Sequence, residues 1–264
     1  MLLFFDIDGT LIDDRTHQVP ASVKPALEEA SARGHRIVIN TGRTLCNMDE
    51  RLDALPIDGW IMGCGTRIVW EGETLQSMEH SPQETMKLRD VFLRLRIPTV
   101  YECDTAMYFD PAGPSHEAIE GFSRFALRRG IARDIREGDA EFRAVKMFSF
   151  PEKDEDIQHL ERETAALGMP YTGIQRAPIG WEIVPAGYSK GQGIDMLREK
   201  LGLPFEACFA FGDSSNDLTM LRHVKHSIAM GNAEEAVKAV CSYVTARPGE
   251  DGIEKALRHF GLIG

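Results

Sequence analysis

Two carboxylates stand two residues apart in FFDIDGTLIDD: Asp6 and Asp8 follow directly on the apolar run Leu2 to Phe5. In extended chain, residues two apart point to the same side. That spacing can bring both acids together, where like charges repel. A second acidic stretch, Gly212-Asp213-Ser214-Ser215-Asn216-Asp217, follows the apolar run CFAF late in the chain. Asp6, Asp8, Asp213 and Asp217 gathered at one site could not all stay ionised without a cation. Oxygen donors with retained waters are what Mg²⁺ prefers. Lys190, just before a helical stretch, can add a further positive charge. A metal, this lysine, the Thr41 hydroxyl and glycine-loop amides together suit a phosphoryl group. A carboxylate in such a setting can also serve as nucleophile and pass through an aspartyl-phosphate.

The elements that must position these groups are legible as short apolar runs. LLFF (2–5), RIVIN (36–40), GWIMG (59–63), CFAFG (208–212), HSIAM (226–230) and SYVTA (242–246) read as buried parallel strands. Amphipathic stretches separate many of them. Residues 22–33 carry Val23, Leu27 and Ala30 on one face before Gly34, and 191–201 carry Ile194, Leu197 and Leu201 before Gly202. Strands alternating with helices predict an α/β fold with a doubly wound parallel, Rossmann-like sheet. In such sheets ligands bind beyond the carboxyl ends of the strands. Those ends carry Asp6 to Thr10, Thr41-Gly42-Arg43, Gly63-Cys64-Gly65-Thr66, Gly212 to Asp217 and Gly231-Asn232-Ala233.

The middle of the chain breaks the alternation. A hairpin over 66–77 turning at Glu71-Gly72 comes first. Helices at 83–95, near 115–129 and at 153–167 then mix with strands at 99–103, 105–109, 143–150, 171–175 and 181–184. This is an inserted α+β domain of about a hundred residues by domain-size reasoning. Its expected boundaries are Ser81-Pro82 and Pro185-Ala186-Gly187. The expected division is 1–81 and 187–264 as core and 82–186 as a cap able to hinge as a lid.

Composition narrows the function. The hydrophobic fraction of 43% supports a substantial core, and the net charge of −11 (30 Lys+Arg against 41 Asp+Glu) argues against a broad nucleic-acid footprint. The five cysteines, at 46, 64, 103, 208 and 241, form no CxxC pair, which favours a reducing, cytoplasmic setting. MLLFF lacks the basic segment of a secretory signal, and no apolar stretch nears the roughly 20 residues of a membrane span. The expected partner is a small phosphorylated metabolite, without nucleic acid or membrane.

DIDGT, TGR, SKG and GDSSND, in that order, resemble the four motifs of the haloacid dehalogenase (HAD)-like phosphatases. The insertion between the second and third motifs resembles the Cof-type sugar phosphatases with a C2 cap. The resemblance spans nearly the whole chain, and the pairing of DxDGT with GDxxND is its specific part. It implies that Asp6 attacks phosphorus and that Asp8 protonates the leaving alcohol and then activates water. Thr41 and Gly42, with Lys190 and Asn216, would bind the phosphoryl oxygens, and Lys190 would also offset charge. Mg²⁺ would be held by Asp6, the Asp8 carbonyl and Asp213, with Asp217 and Asn216 nearby orienting Lys190 or metal-bound water. Family members often carry Asn-Gly where this chain has Gly63-Cys64-Gly65, which puts substrate contacts in that loop in doubt.

Simpler readings stand beside these. Asp6 and Asp8 could be a solvated turn, and Asp213, Asp217 and Thr41 could be helix caps. His223 and His226 in HVKH read as one face of a solvated helix. Gly191-Gln192-Gly193 lacks the third glycine of a dinucleotide fingerprint. Trp181, Glu182, Arg143 and Lys146 suit either substrate contact or packing. The function expected is Mg²⁺-dependent hydrolysis of small phosphorylated metabolites, sugar phosphates foremost. A phosphomutase and a low-turnover phosphometabolite-binding regulator are the alternatives.

Overall fold

The computed structural model describes residues 1–176 and 178–264. The chain opens with β1 (Leu2–Phe5), α1 (Val23–Ala32), β2 (Arg36–Asn40), β3 (Gly59–Met62), β4 (Arg67–Trp70) and β5 (Glu73–Ser77). The middle holds α2 (Pro82–Leu95), β6 (Thr99–Cys103), β7 (Met107–Phe109), α3 (Glu117–Arg128), β8 (Ala132–Asp134), β9 (Ala144–Ser149), α4 (Asp154–Ala166), β10 (Tyr171–Arg176) and β11 (Gly180–Pro185). The last third adds α5 (Lys190–Lys200), β12 (Cys208–Gly212), α6 (Leu218–Leu221), β13 (His226–Ala229), α7 (Glu235–Lys238), β14 (Tyr243–Val244) and α8 (Gly252–His259). Among the described residues no helix is long and apolar enough to cross a membrane.

These elements form two compact units. The first comprises Met1–Gly42, Asp49–Gln76 and Ser189–Gly264. Its sheet runs β14-β13-β12-β1-β2-β3-β4-β5. β1 lies between β12 and β2, parallel to both, with Leu2 opposite Cys208 and Arg36. A central parallel strand is covered on both faces, which is why all four residues of LLFF are apolar and fully buried. α1 buries Val23, Ala26, Leu27 and Ala30, the spacing of one helical face. Leu2, Phe4, Val38, Ile61, Ile194, Leu197 and Ala210 share one core. That core fixes the strand register and brings the carboxyl ends of β1, β2, β12 and β13 to one edge.

The second unit comprises Ser77–Tyr188 together with Arg43–Met48. The reading from sequence drew the insertion as 82–186 and gave it no part of the loop after β2. Side chains account for the extra segment: Thr44 Oγ1 donates to Glu102 Oε2 at 3.4 Å, and Arg129 donates to the Met48 carbonyl at 2.6 Å. The sheet runs β10-β11-β9-β6-β7-β8, antiparallel except at β7–β8. α2 starts at a capping box in which Ser81 and Glu84 exchange hydrogen bonds, with Pro82 in the first turn. Leu88, Val91 and Phe92 of α2 and Ile157 and Leu160 of α4 pack with Tyr101, Met147 and Ile183 of the strands. Glu102 stands opposite Lys146 across the β6–β9 pair, and Lys146 Nζ donates to Glu102 Oε1 at 2.6 Å and to Glu182 Oε2. All three side chains are buried. Lys146 and Glu182 thus serve each other.

The HVKH reading needs correction. His226 is the first residue of β13 and stacks on Phe209 at 4.2 Å, while a ring nitrogen of His223 lies 2.6 Å from the Thr219 carbonyl. The helix ends at Leu221, so the two histidines share no helical face.

Candidate active site

β1 delivers Asp6 to the sheet edge, where its backbone N–H donates to the Phe211 carbonyl at 3.1 Å. The chain then folds on itself: Ile12 N–H donates to Ile7 O at 2.8 Å and Gly9 N–H to Ile12 O at 2.9 Å. Asp8, partly exposed, lies within this turn and bridges to Ile12. The turn requires Gly9 at φ +83°, and a Cβ there would lie 2.3 Å from Asp213 Oδ2. Glycine therefore does two things in DIDGT: it makes the turn and lets it touch the second acidic loop. Thr10 Oγ1 completes that contact by donating to Asp213 Oδ1 at 3.2 Å.

Asp213 follows β12. Its loop is closed by Asp217, whose Oδ2 accepts the backbone N–H groups of Asp213 at 2.9 Å and Ser214 at 3.0 Å. The other oxygen of Asp217 faces Lys190, the first residue of α5. Lys190 Nζ donates to Asp217 Oδ1 at 2.6 Å and to Asp6 Oδ1 at 2.7 Å, with only 1% of the residue exposed. The helix start that aims this lysine has its own supports. Ser189 Oγ accepts the Gln192 N–H at 3.1 Å, and Asn40 Nδ2 donates to the Lys190 carbonyl at 2.9 Å. A Cβ on Gly191 would lie 2.5 Å from the Thr219 carbonyl, and one on Gly193 2.5 Å from Ile61 Cγ2. The glycines of KGQG serve close packing of α5.

Thr41 and Gly42 follow β2, both buried. The Thr41 N–H donates to the Ile61 carbonyl at 2.8 Å, and its carbonyl accepts the Cys64 N–H at 3.0 Å. Asn216 is 3% exposed and its Oδ1 accepts from Ser214 Oγ at 2.7 Å, an engagement within its own loop. Of the residues singled out from sequence, Asp6, Asp213 and Asp217 offer oxygens within 4.8 Å of one another, and Lys190 bonds two of the three. Sequence reasoning gave no role to Thr10, Asn40 or Asn232. A polar residue closing the otherwise apolar run RIVIN was the available signal for Asn40.

Three carboxylates gather beside one buried ammonium, which bonds two of them. Burial pushes the Asp6 carboxyl up to about 6; the Lys190 charge opposes this, and Asp217 and Asp8 add to it. Burial, joined by the charges of Asp217 and Asp6, pushes Asp213 up to about 8 against the pull of Lys190. Burial works against the charge on Lys190, but Asp217 and Asp6 outweigh it and hold the ammonium above its ordinary range. The site carries more negative charge than its lysine offsets. Its oxygens divide in availability among the described residues. Both Asp217 oxygens are engaged, Asp6 gives one to Lys190, and Asp213 receives only contacts of 3.2 and 3.5 Å. Hard oxygen donors with open positions and excess negative charge fit a divalent cation of the Mg²⁺ kind.

The chain is similar over its full length to known proteins. Residues 3–257 match the family model of the haloacid dehalogenase-like hydrolases. The putative phosphatase YkrA of Bacillus subtilis is 29% identical over 265 residues, 99% of this chain and 98% of that protein. The 5-amino-6-(5-phospho-D-ribitylamino)uracil phosphatase YcsE of the same organism is 27% identical over 261 residues, 99% and 96% of the two chains. The solved structure of the HAD subclass IIB sugar phosphatase BT4131 superposes with a TM-score of 0.82 at 30% identity, covering 99% of both chains.

Proposed function

The chain belongs to the haloacid dehalogenase-like hydrolases and is a phosphatase; from that premise we propose that it hydrolyses small phosphorylated metabolites, sugar phosphates foremost, with Mg²⁺ and through an aspartyl-phosphate on Asp6. The observation that carries this reading is Lys190 Nζ held between Asp6 and Asp217 while Asp213 stands beside them. The sugar-phosphate class leans on the likeness to BT4131. In this reading residues 1–81 and 187–264 form the catalytic core and 82–186 the inserted cap.

Asp6 is held as a carboxylate by the Lys190 ammonium 2.7 Å away. One carboxylate oxygen attacks phosphorus as the bond from phosphorus to the leaving alcohol breaks, and Asp8 gives its proton to that alcohol. Asp8, now ionised, takes a proton from the water that attacks phosphorus, and Asp6 leaves with its oxygen. Lys190 offsets the charge of Asp6 throughout. The Thr41 hydroxyl and Gly42 amide bind phosphoryl oxygens. Asp6, Asp213 and the Asp8 carbonyl would hold Mg²⁺, which supplies positive charge against the phosphoryl oxygens. Asp217, with both oxygens occupied, positions Lys190.

The test is inorganic phosphate release from a panel of phosphorylated metabolites, with Mg²⁺ and with chelator. Mg²⁺-dependent release is expected, strongest on sugar phosphates. Asp6→Asn should lower kcat by at least about 10³-fold in a folded protein, since an amide cannot attack phosphorus. Near-normal turnover by that variant would remove Asp6 as nucleophile.

A further inference from the structure

Asn232 lies in the loop after β13, and its side chain reaches two other strand-end loops. Nδ2 donates to the Gly9 carbonyl at 2.9 Å and lies 3.5 Å from Asp213 Oδ2. A carbonyl oxygen can only accept, so the amide orientation is fixed: nitrogen toward Gly9, oxygen away from it. That oxygen, Oδ1, is shielded from solvent and has no hydrogen-bond partner among the described residues. Buried acceptors are nearly always satisfied. Left open a single amide group away from Asp213, this oxygen is available to a hydrogen donated by a bound group. The loop is held for the task two residues on. Glu234 N–H donates to the Asp213 carbonyl at 3.0 Å, and the Glu234 carboxylate accepts the Ser215 N–H at 3.1 Å.

We propose that Asn232 is a positioning residue of the phosphoryl-transfer site. Its amide N–H locks the Asp8-Gly9 turn against Asp213, and its Oδ1 accepts a hydrogen from water held at the divalent cation. This rests on the Mg²⁺ reading above. Partners at this remove from a metal set the orientation of its ligands, and their loss commonly costs tenfold or more in metal affinity.

Mn²⁺ binding, read by electron paramagnetic resonance without substrate, tests the proposal on the wild-type chain, Asn232→Ala and Asn232→Asp, with kcat and KM for phosphate release measured beside it. Asn232→Ala should bind Mn²⁺ about tenfold more weakly and lose kcat with KM nearly unchanged. Asn232→Asp keeps an acceptor but loses the donor to Gly9. Its added negative charge beside Asp213 draws Mn²⁺ by itself, so binding should be at least that of wild type while kcat stays low. The discriminating readout is the Mn²⁺ affinity of Asn232→Ala, which an asparagine that only braced the Gly9 carbonyl would leave near wild type. Mn²⁺ affinity of Asn232→Ala within twofold of wild type overturns the proposal, as does an undiminished kcat in Asn232→Asp, which also serves if the alanine variant fails to fold. Failure of the wild-type chain itself to bind Mn²⁺ would instead overturn the Mg²⁺ reading, and this proposal with it.

Discussion

Cys64 sits at φ 57°, ψ 40°, in the left-handed region that non-glycine residues occupy at a cost of roughly 1–2 kcal/mol. Asparagine enters that region more easily than most residues. Where the sequence suggests only a lost substrate contact at Gly63-Cys64-Gly65, the backbone shows a conformational demand. Replacing Cys64 by Gly removes the Cβ responsible, whereas Ala keeps it. Cys64→Gly should therefore be more stable than Cys64→Ala by about 1 kcal/mol, the reverse of the usual order. Thermal melts of the two variants decide it, and an alanine variant melting higher would contradict the strain. Legibility at this scale follows chain distance. Asp6 and Asp8 declare themselves because period two is a local rule. Asn40 and Asn232 do not, because their partners, the Lys190 carbonyl at the start of α5 and the Gly9 carbonyl in the turn after β1, are far off in the chain and only the folded sheet brings them near.

At the scale of elements, β6, β9 and β11 share the buried Glu102–Lys146–Glu182 cluster. Burial raises the Glu102 carboxyl above its ordinary value of 4.5 by more than the Lys146 charge lowers it, and Glu182 adds to the rise. The unfolded chain releases this proton near pH 4.5, the folded protein only at higher pH. Stability from this group is therefore full below that value and lost as pH climbs through the folded one. Glu102→Gln removes the dependence. Its melting temperature relative to wild type should rise by a few degrees between about pH 5 and pH 8. A difference flat in pH would show that Glu102 titrates in the folded state as it does in the unfolded one. Strands such as β9 were readable as apolar runs. β8, Ala132–Asp134, was not: three residues, two of them charged and exposed, carry no alternation, and pairing with β7 makes the strand.

For the whole molecule, the decisive fact is that β1 pairs with β12, two hundred residues on, as well as with β2. The alternation of apolar runs and helices made the parallel sheet legible, but the strand order arises from packing across the full length. A chain ending at Tyr188 lacks β12, β13, Lys190 and Asp213, while it keeps every segment of the second unit. It should show slow amide hydrogen exchange over β6, β9 and β11 and fast exchange over β1 and β2. Protected β1 amides would mean that the first unit folds without its last third. Lys190 has one more consequence on this scale. Acylating reagents need a neutral, reachable amine. Lys190 is sealed from solvent and held as an ammonium by Asp6 and Asp217, so exposed lysines should be labelled long before it. The amine becomes a covalent reporter: its labelling would mark the moment Asp6 and Asp217 let go.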